Sequence, residues 1–168
     1  MTNVKSYTTA DLAKFAIHLL DPQKCRAQCL AFLQTKSEDT PEYSERILSE
    51  YARLFMGIGS SQNSLRASVW LNPPGYMYPT TVSEIQSFYR QSQLTLQATT
   101  RDADHLGLML IFISLLLDHR EYSFARVFYN NYIRPWLPRL IQQIRRADSL
   151  FYAPLLKILN RELNQLFA

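Results

Sequence analysis

Glycine is nearly missing from this chain: 168 residues hold four, and three of them, Gly57, Gly59 and Gly75, fall in one region. A many-stranded fold needs tight turns along its whole length, so the scarcity elsewhere favours helices. Cysteine is limited to Cys25 and Cys29, four apart on an expected helix, and zinc would need two further ligands where only His18 is near. The pair reads as two buried thiols in a reducing compartment. Histidine numbers three. Asp104-His105 and Asp118-His119 run in the reverse order to a helical metal phosphohydrolase of the His-Asp type. Adjacent helical side chains also point about 100° apart, so neither pair chelates by itself.

Long apolar runs are also scarce. The exception is Leu106–Leu117, where Ser114 is the single polar residue. At 1.5 Å per residue such a run spans about 18 Å, well short of a bilayer core of about 30 Å. It reads instead as the central buried helix of an all-α domain, spanning Asp102 to Asp118, with Asp104 and His105 at its mouth. Met1 to Thr9 offers neither an apolar stretch nor an arginine pair, so no secretory signal is expected and the expected compartment is cytoplasmic.

The charge balance is +4, which invites a nucleic-acid reading. The basic residues are dispersed, however, except for Arg134, Arg139, Arg145 and Arg146. These interleave with Leu140, Ile141 and Ile144 as on the wet face of an amphipathic helix. No helix-turn-helix pattern and no stacking motif accompanies them, so no nucleic-acid partner is expected. Gly57-Ile58-Gly59-Ser60-Ser61 lacks the lysine of a phosphate-binding loop and follows a helix rather than a strand. No Ser or Cys sits in a nucleophile motif. Nothing here argues for an enzyme, a metal or a cofactor.

What is present is a series of helix starts. Thr8 or Thr9 caps a first helix to Leu20, with Leu12, Phe15, Ala16, Leu19 and Leu20 on one side. Asp21-Pro22 starts a second, to about Thr35, and Thr40-Pro41 a third. The third carries Tyr43, Ile47, Tyr51, Leu54 and Phe55 on one stripe, with Glu42, Glu45, Arg46 and Glu50 mostly outside it. Residues 57–80 form a connection far longer than the usual 4–6 or so, yet hold Val69, Trp70, Leu71, Tyr76, Met77 and Tyr78, which suits a functional loop folded onto the helices. Thr80 or Thr81 with Glu84 makes a capping box for a fourth helix to about Ala98. After the buried helix, Pro135 and Pro138 must kink or divide the next, and a last one runs from Asp148. The whole reads as one domain, 1–168, of about six to eight helices.

The remaining constellation is one of recognition. Tyr51, Leu54 and Phe55 lead into the loop that bears Trp70, and Asp104-His105 stands at a helix N-terminus. Such a surface can hold an apolar peptide while carboxylates meet its cations. The alternative is that Tyr51, Leu54, Phe55 and Trp70 are simply core. Asp104 is equally read as a helix cap.

Several segments resemble the TorD/DmsD/NarJ family of redox-enzyme maturation chaperones. Tyr51-Ala-Arg-Leu-Phe55 before a Gly-containing loop is similar to that family's Y/W-x-x-LF-x-G segment, and Ala67-Ser68-Val69-Trp70-Leu71 to its "GSVWL" element. Arg101 to Gly107 resembles its E-P-x-DH-x-G stretch, Tyr132 to Trp136 its later "H-L-x-PW" element, and Leu150-Phe151-Tyr152 its "P-F-Y" opening of the last helix. Leu65-Arg66-Ala67-Ser68 stands where the family has a Pro-rich approach, and Arg101-Asp102 where Glu-Pro is common. The resemblance implies a TorD-like fold and a non-catalytic cytoplasmic chaperone. Its partner would be the precursor of a molybdopterin-containing oxidoreductase, bound through the twin-arginine signal peptide until cofactor insertion and folding are complete. The second reading is a helical assembly factor that engages a mature reductase subunit. The site implied is Tyr51, Leu54, Phe55, Trp70, Asp104 and His105, with Asp104 facing an arginine and His105 orienting it. Peripheral contact with the Tat translocase, and a monomer or homodimer, are compatible with this reading.

Overall fold

A computed structural model describes Leu12, Ala16, Leu19, Leu20 and residues 41–57, 63–72, 80–92 and 102–168. Among these residues the chain forms seven α-helices. They are α1 (Pro41–Tyr51), α2 (Ala67–Leu71), α3 (Thr80–Gln91), α4 (Leu106–Asp118), α5 (Tyr122–Tyr132), α6 (Leu137–Arg146) and α7 (Tyr152–Leu166). A π-helical turn, Ala52–Met56, continues α1. The described residues hold no strand, only one isolated bridge between Arg66 and His105. The fold class is all-α, as the glycine scarcity and the helical periodicities predict.

The apolar run is the axis of the core. Leu106, Met109, Leu110, Phe112, Ile113 and Leu116 of α4 are all fully buried. Leu108, Ile111 and Leu115, which share the remaining face of α4, are only partly buried. An aromatic layer from α3 and α5 covers one flank: Tyr89 lies 4.6 Å from Phe112, Phe112 4.9 Å from Phe128, and Phe88 5.0 Å from Phe124, centroid to centroid. Their tilted and edge-on arrangement is the one that ring quadrupoles favour. On another flank, Gly107 admits the N-terminal segment so closely that an added Cβ would lie 2.6 Å from Leu20 Cγ and 3.0 Å from the Ala16 carbonyl oxygen. Leu12, Ala16 and Leu19 are helical and buried there, at the spacing the sequence periodicity predicts.

The two prolines divide the late helical pattern as expected. α5 ends at Tyr132, residues 133–136 turn, and α6 restarts with Pro138 in its first turn, where the missing N–H costs nothing. α6 and α7 then pack against each other across the 147–151 connector.

Three elements differ from the sequence expectation. The buried helix begins at Leu106 rather than Asp102, because Leu65 and Asp104 backbone carbonyls accept from Leu106 (2.8 Å) and Ala67 (3.0 Å) and draw this stretch into the bridge. The last helix begins at Tyr152 rather than Asp148. The 57–80 connection holds a short helix of its own, α2. Thr81 and Glu84 are also otherwise engaged than in a capping box: the Thr81 hydroxyl donates to Asn72 (2.9 Å), and Glu84 accepts from the Tyr132 hydroxyl (3.3 Å). The second expected helix, Cys25, Cys29 and residues 93–98 lie outside the described residues. No helix among the described residues is long and apolar enough to cross a membrane.

Candidate functional site

The six residues singled out from sequence fall into two neighbourhoods. The first is built on the end of α1 and its π-helical turn. Leu54 is buried in the core, while Tyr51 and Phe55 are half-buried. Their rings stand 5.2 Å apart, and Tyr152 of α7 meets both, at 5.6 Å from Tyr51 and 5.3 Å, edge-on, from Phe55. The Tyr51 hydroxyl donates to the Leu19 carbonyl at 3.1 Å, tying the N-terminal segment to this group. Met56, next along, is exposed.

The second neighbourhood is the junction of α2 with the start of α4. Trp70 is held three ways. Its indole N–H donates to the Ser64 carbonyl (2.8 Å), its ring stacks on Trp136 (6.1 Å, 13° between planes), and the Arg139 guanidinium lies 5.4 Å over it. Trp136 is fully buried, so Trp70 is the outward partner of the stack, beside the exposed Val69. A tryptophan fixed in one rotamer but still partly exposed gives contact area at little entropic cost.

Asp104 is 1% exposed, and its carboxylate has partners inside the chain. Oδ2 accepts from the Ser68 backbone N–H (3.0 Å) and hydroxyl (2.5 Å), while Oδ1 accepts from Arg66 (3.3 Å). With its own carbonyl taking the Ala67 N–H, Asp104 satisfies two of the free donors at the start of α2. It thus caps a helix, but α2 rather than the one that it precedes. Arg66 also pairs with Asp102, so one guanidinium bridges two carboxylates. Burial works against the Arg66 charge, and the two aspartates outweigh it, holding its pKa above the ordinary value.

His105 is the N-cap of α4: its Nδ1 accepts from the Gly107 N–H at 3.1 Å. Nδ1 is therefore the unprotonated nitrogen of a neutral ring. Burial first, then the Arg66 charge, lowers its pKa to about 4 against the pull of Asp102 and Asp104. Among the described residues, no three His, Cys, Asp or Glu side chains gather where they could hold a metal ion.

Sequence pattern does not mark three residues that matter here. Ser68 and Arg66 stand in the sequence only as parts of a motif, yet they hold Asp104. Glu50 falls outside the stripe expected on the third helix. It is buried, and its carboxylate accepts from the Ser149 hydroxyl and from the backbone N–H groups of Leu150 (3.1 Å), Phe151 (3.1 Å) and Tyr152 (2.9 Å). The available signal was that Phe151, at the N-cap of α7, has no oxygen in its side chain, so another residue must serve those donors.

The described residues thus form an all-α protein with a packed core, two carboxylates satisfied by groups of the same chain, and partly exposed aromatic rings. The chain belongs to the nitrate reductase delta subunit family, whose model matches residues 19–142. It is similar to a protein of Haemophilus influenzae named as a probable Tat proofreading chaperone DmsD, with 24% identity over 123 residues. The match takes in 72% of this chain and 60% of that relative, so the chain spans about three-fifths of the relative's length. No solved structure matches it significantly.

Proposed function

We propose that the protein is a cytoplasmic maturation chaperone that binds the precursor of a molybdopterin-containing oxidoreductase subunit and holds its twin-arginine signal peptide until cofactor insertion and folding are complete. The observation that carries this reading is Trp70, anchored by Ser64, Trp136 and Arg139 yet partly exposed. Family membership and the similarity to a proofreading chaperone support this client class. In this reading Trp70, Phe55 and Tyr51 contact the apolar part of the signal. Apolar burial contributes about 25 cal/mol per Å² before ordering costs. Leu54 supports the stripe from beneath. Asp104 and His105 position the Trp70 segment, and Asp104 Oδ1 is the atom that meets a client arginine. Function is then differential affinity, with no bond made or broken: tight for the unfinished precursor, weak once folding competes for the same segment. Monomers or homodimers, with peripheral contact to the Tat translocase, suit this role.

One observation favours the second reading, an assembly factor that engages a mature reductase subunit. The Asp104 carboxylate is buried and shared between Ser68 and Arg66, so it meets a client arginine only by exchange. Calorimetric titration with a twin-arginine signal peptide separates the readings. Trp70→Ala should weaken binding by about 1–3 kcal/mol, as loss of an aromatic anchor does. No binding by a folded wild-type chain would leave the assembly-factor reading in its place.

A further inference from the structure

We propose that Arg66 is an internal stand-in for a client arginine, and that a guanidinium of the client enters by exchange with it. The inference rests on the chaperone reading above and names how its arginine site is regulated. Its basis is the division of labour between the two oxygens of Asp104. Oδ2 is committed to the α2 N-terminus through Ser68, whereas Oδ1 is taken by Arg66, whose other nitrogen reaches Asp102. The arginine and Asp102 stand at the rim, 39% and 46% exposed, above an aspartate that is 1% exposed. A planar guanidinium spanning two carboxylates is the arrangement that a ligand arginine would adopt, and a lysine, being a point charge, reproduces it poorly.

Three consequences follow from this geometry. Resting protein keeps Asp104 paired, so no buried carboxylate is left bare while the client is absent. An incoming arginine gains only the difference between its own contacts and those of Arg66, which keeps the charge contribution small and leaves apolar contacts to set affinity. Swinging out Arg66 leaves Ser68 on Oδ2, so α2 and Trp70 stay in place during exchange.

The test uses the full chain, Arg66→Ala, Arg66→Gln, and two synthetic peptides that carry either Arg-Arg or Lys-Lys ahead of the same apolar stretch. Binding is read by calorimetry and folding by circular dichroism. Both variants should bind the Arg-Arg peptide about tenfold more tightly than the wild type does, the worth of one charge-assisted hydrogen bond, and should bind the Lys-Lys peptide with little change. In the wild type, the Arg66 side-chain Nε–Hε resonance should shift on titration with the Arg-Arg peptide and stay put with the Lys-Lys peptide. This second readout needs no variant to fold. If the wild type binds, but folded variants bind equally or more weakly and the Arg66 resonance does not move, the stand-in role is overturned while the chaperone reading stands. If neither peptide binds wild type or variants, the signal-peptide reading fails and takes the proposal with it.

Discussion

Asp104 and Ser68 lie 36 residues apart in sequence, and one carboxylate oxygen of the first accepts both the N–H and the hydroxyl of the second. The contact fastens the start of α2, and hence Trp70, to the mouth of the central helix. An aspartate with a helix N-terminus and Arg66 as its partners contributes to folding whatever else it does. Asp104→Asn should therefore cost about 1–3 kcal/mol, since it removes the charge that both partners face. Ser68→Ala should cost about 1 kcal/mol. A double-mutant cycle by urea denaturation should return a non-zero coupling between them. Additive losses, or an Asp104→Asn variant as stable as wild type, would contradict the contact.

His105 predicts a pH dependence with a definite sign. Its folded pKa is lowered to about 4, so between an unfolded value near 6.5 and that point the unfolded chain binds a proton that the folded chain refuses. The stability associated with the neutral ring is thus complete above about pH 6.5 and is lost as pH falls toward 4, by at most about 3 kcal/mol. His105→Asn keeps a capping side chain and removes the titration. Its urea midpoint should change less than wild type between pH 7.5 and 5, and an identical slope in both proteins would rule out His105 as the cause.

Glu50 makes the corresponding prediction at the start of α7. Glu50→Gln turns an amide N–H₂ toward donors at the start of α7 and removes a charge favoured by the helix dipole. A loss of about 2 kcal/mol is expected, a Tm drop of about 4–8 °C for a chain of this size. An unchanged Tm would show that water serves these donors equally well.

Gly107 is expected to resist even a methyl group. Alanine gains up to about 1 kcal/mol in helix propensity, but its Cβ would press on Leu20 and on the backbone carbonyl of Ala16, and such overpacking costs about 1–3 kcal/mol. Thermal melts of Gly107→Ala should show net destabilisation. A stabilised variant would mean that the N-terminal segment does not lie against α4.

The parts of the molecule written in local pattern were legible in sequence. The apolar run of α4, the division at Pro135 and Pro138, and the i, i+4, i+7 spacing of Leu12, Ala16 and Leu19 each follow from one stretch of chain and appear where expected. The capping contacts were not legible. Glu50 serves donors 99 to 102 residues away, and Asp104 serves donors 36 residues earlier, so neither oxygen could be assigned before the helices were packed. Local rules gave Asp104 to its own helix and Glu50 to solvent. Tertiary packing gave both to other helices, with His105 left to cap α4. The short helix α2 was hidden for the same reason: five residues rarely hold a helix alone, and this one depends on Asp104 for its first donors.

The role proposed for this chain is to hold an unfinished oxidoreductase subunit by its signal segment. The direct measurement is affinity for three forms of one client subunit: the precursor, the same chain with its signal removed, and the folded, cofactor-loaded protein. The precursor should bind most tightly, removal of the signal should weaken binding at least tenfold, a difference of about 1.4 kcal/mol, and the loaded protein should bind least. Equal affinity for the first two forms would contradict that role and leave the mature-subunit assembly factor as the function.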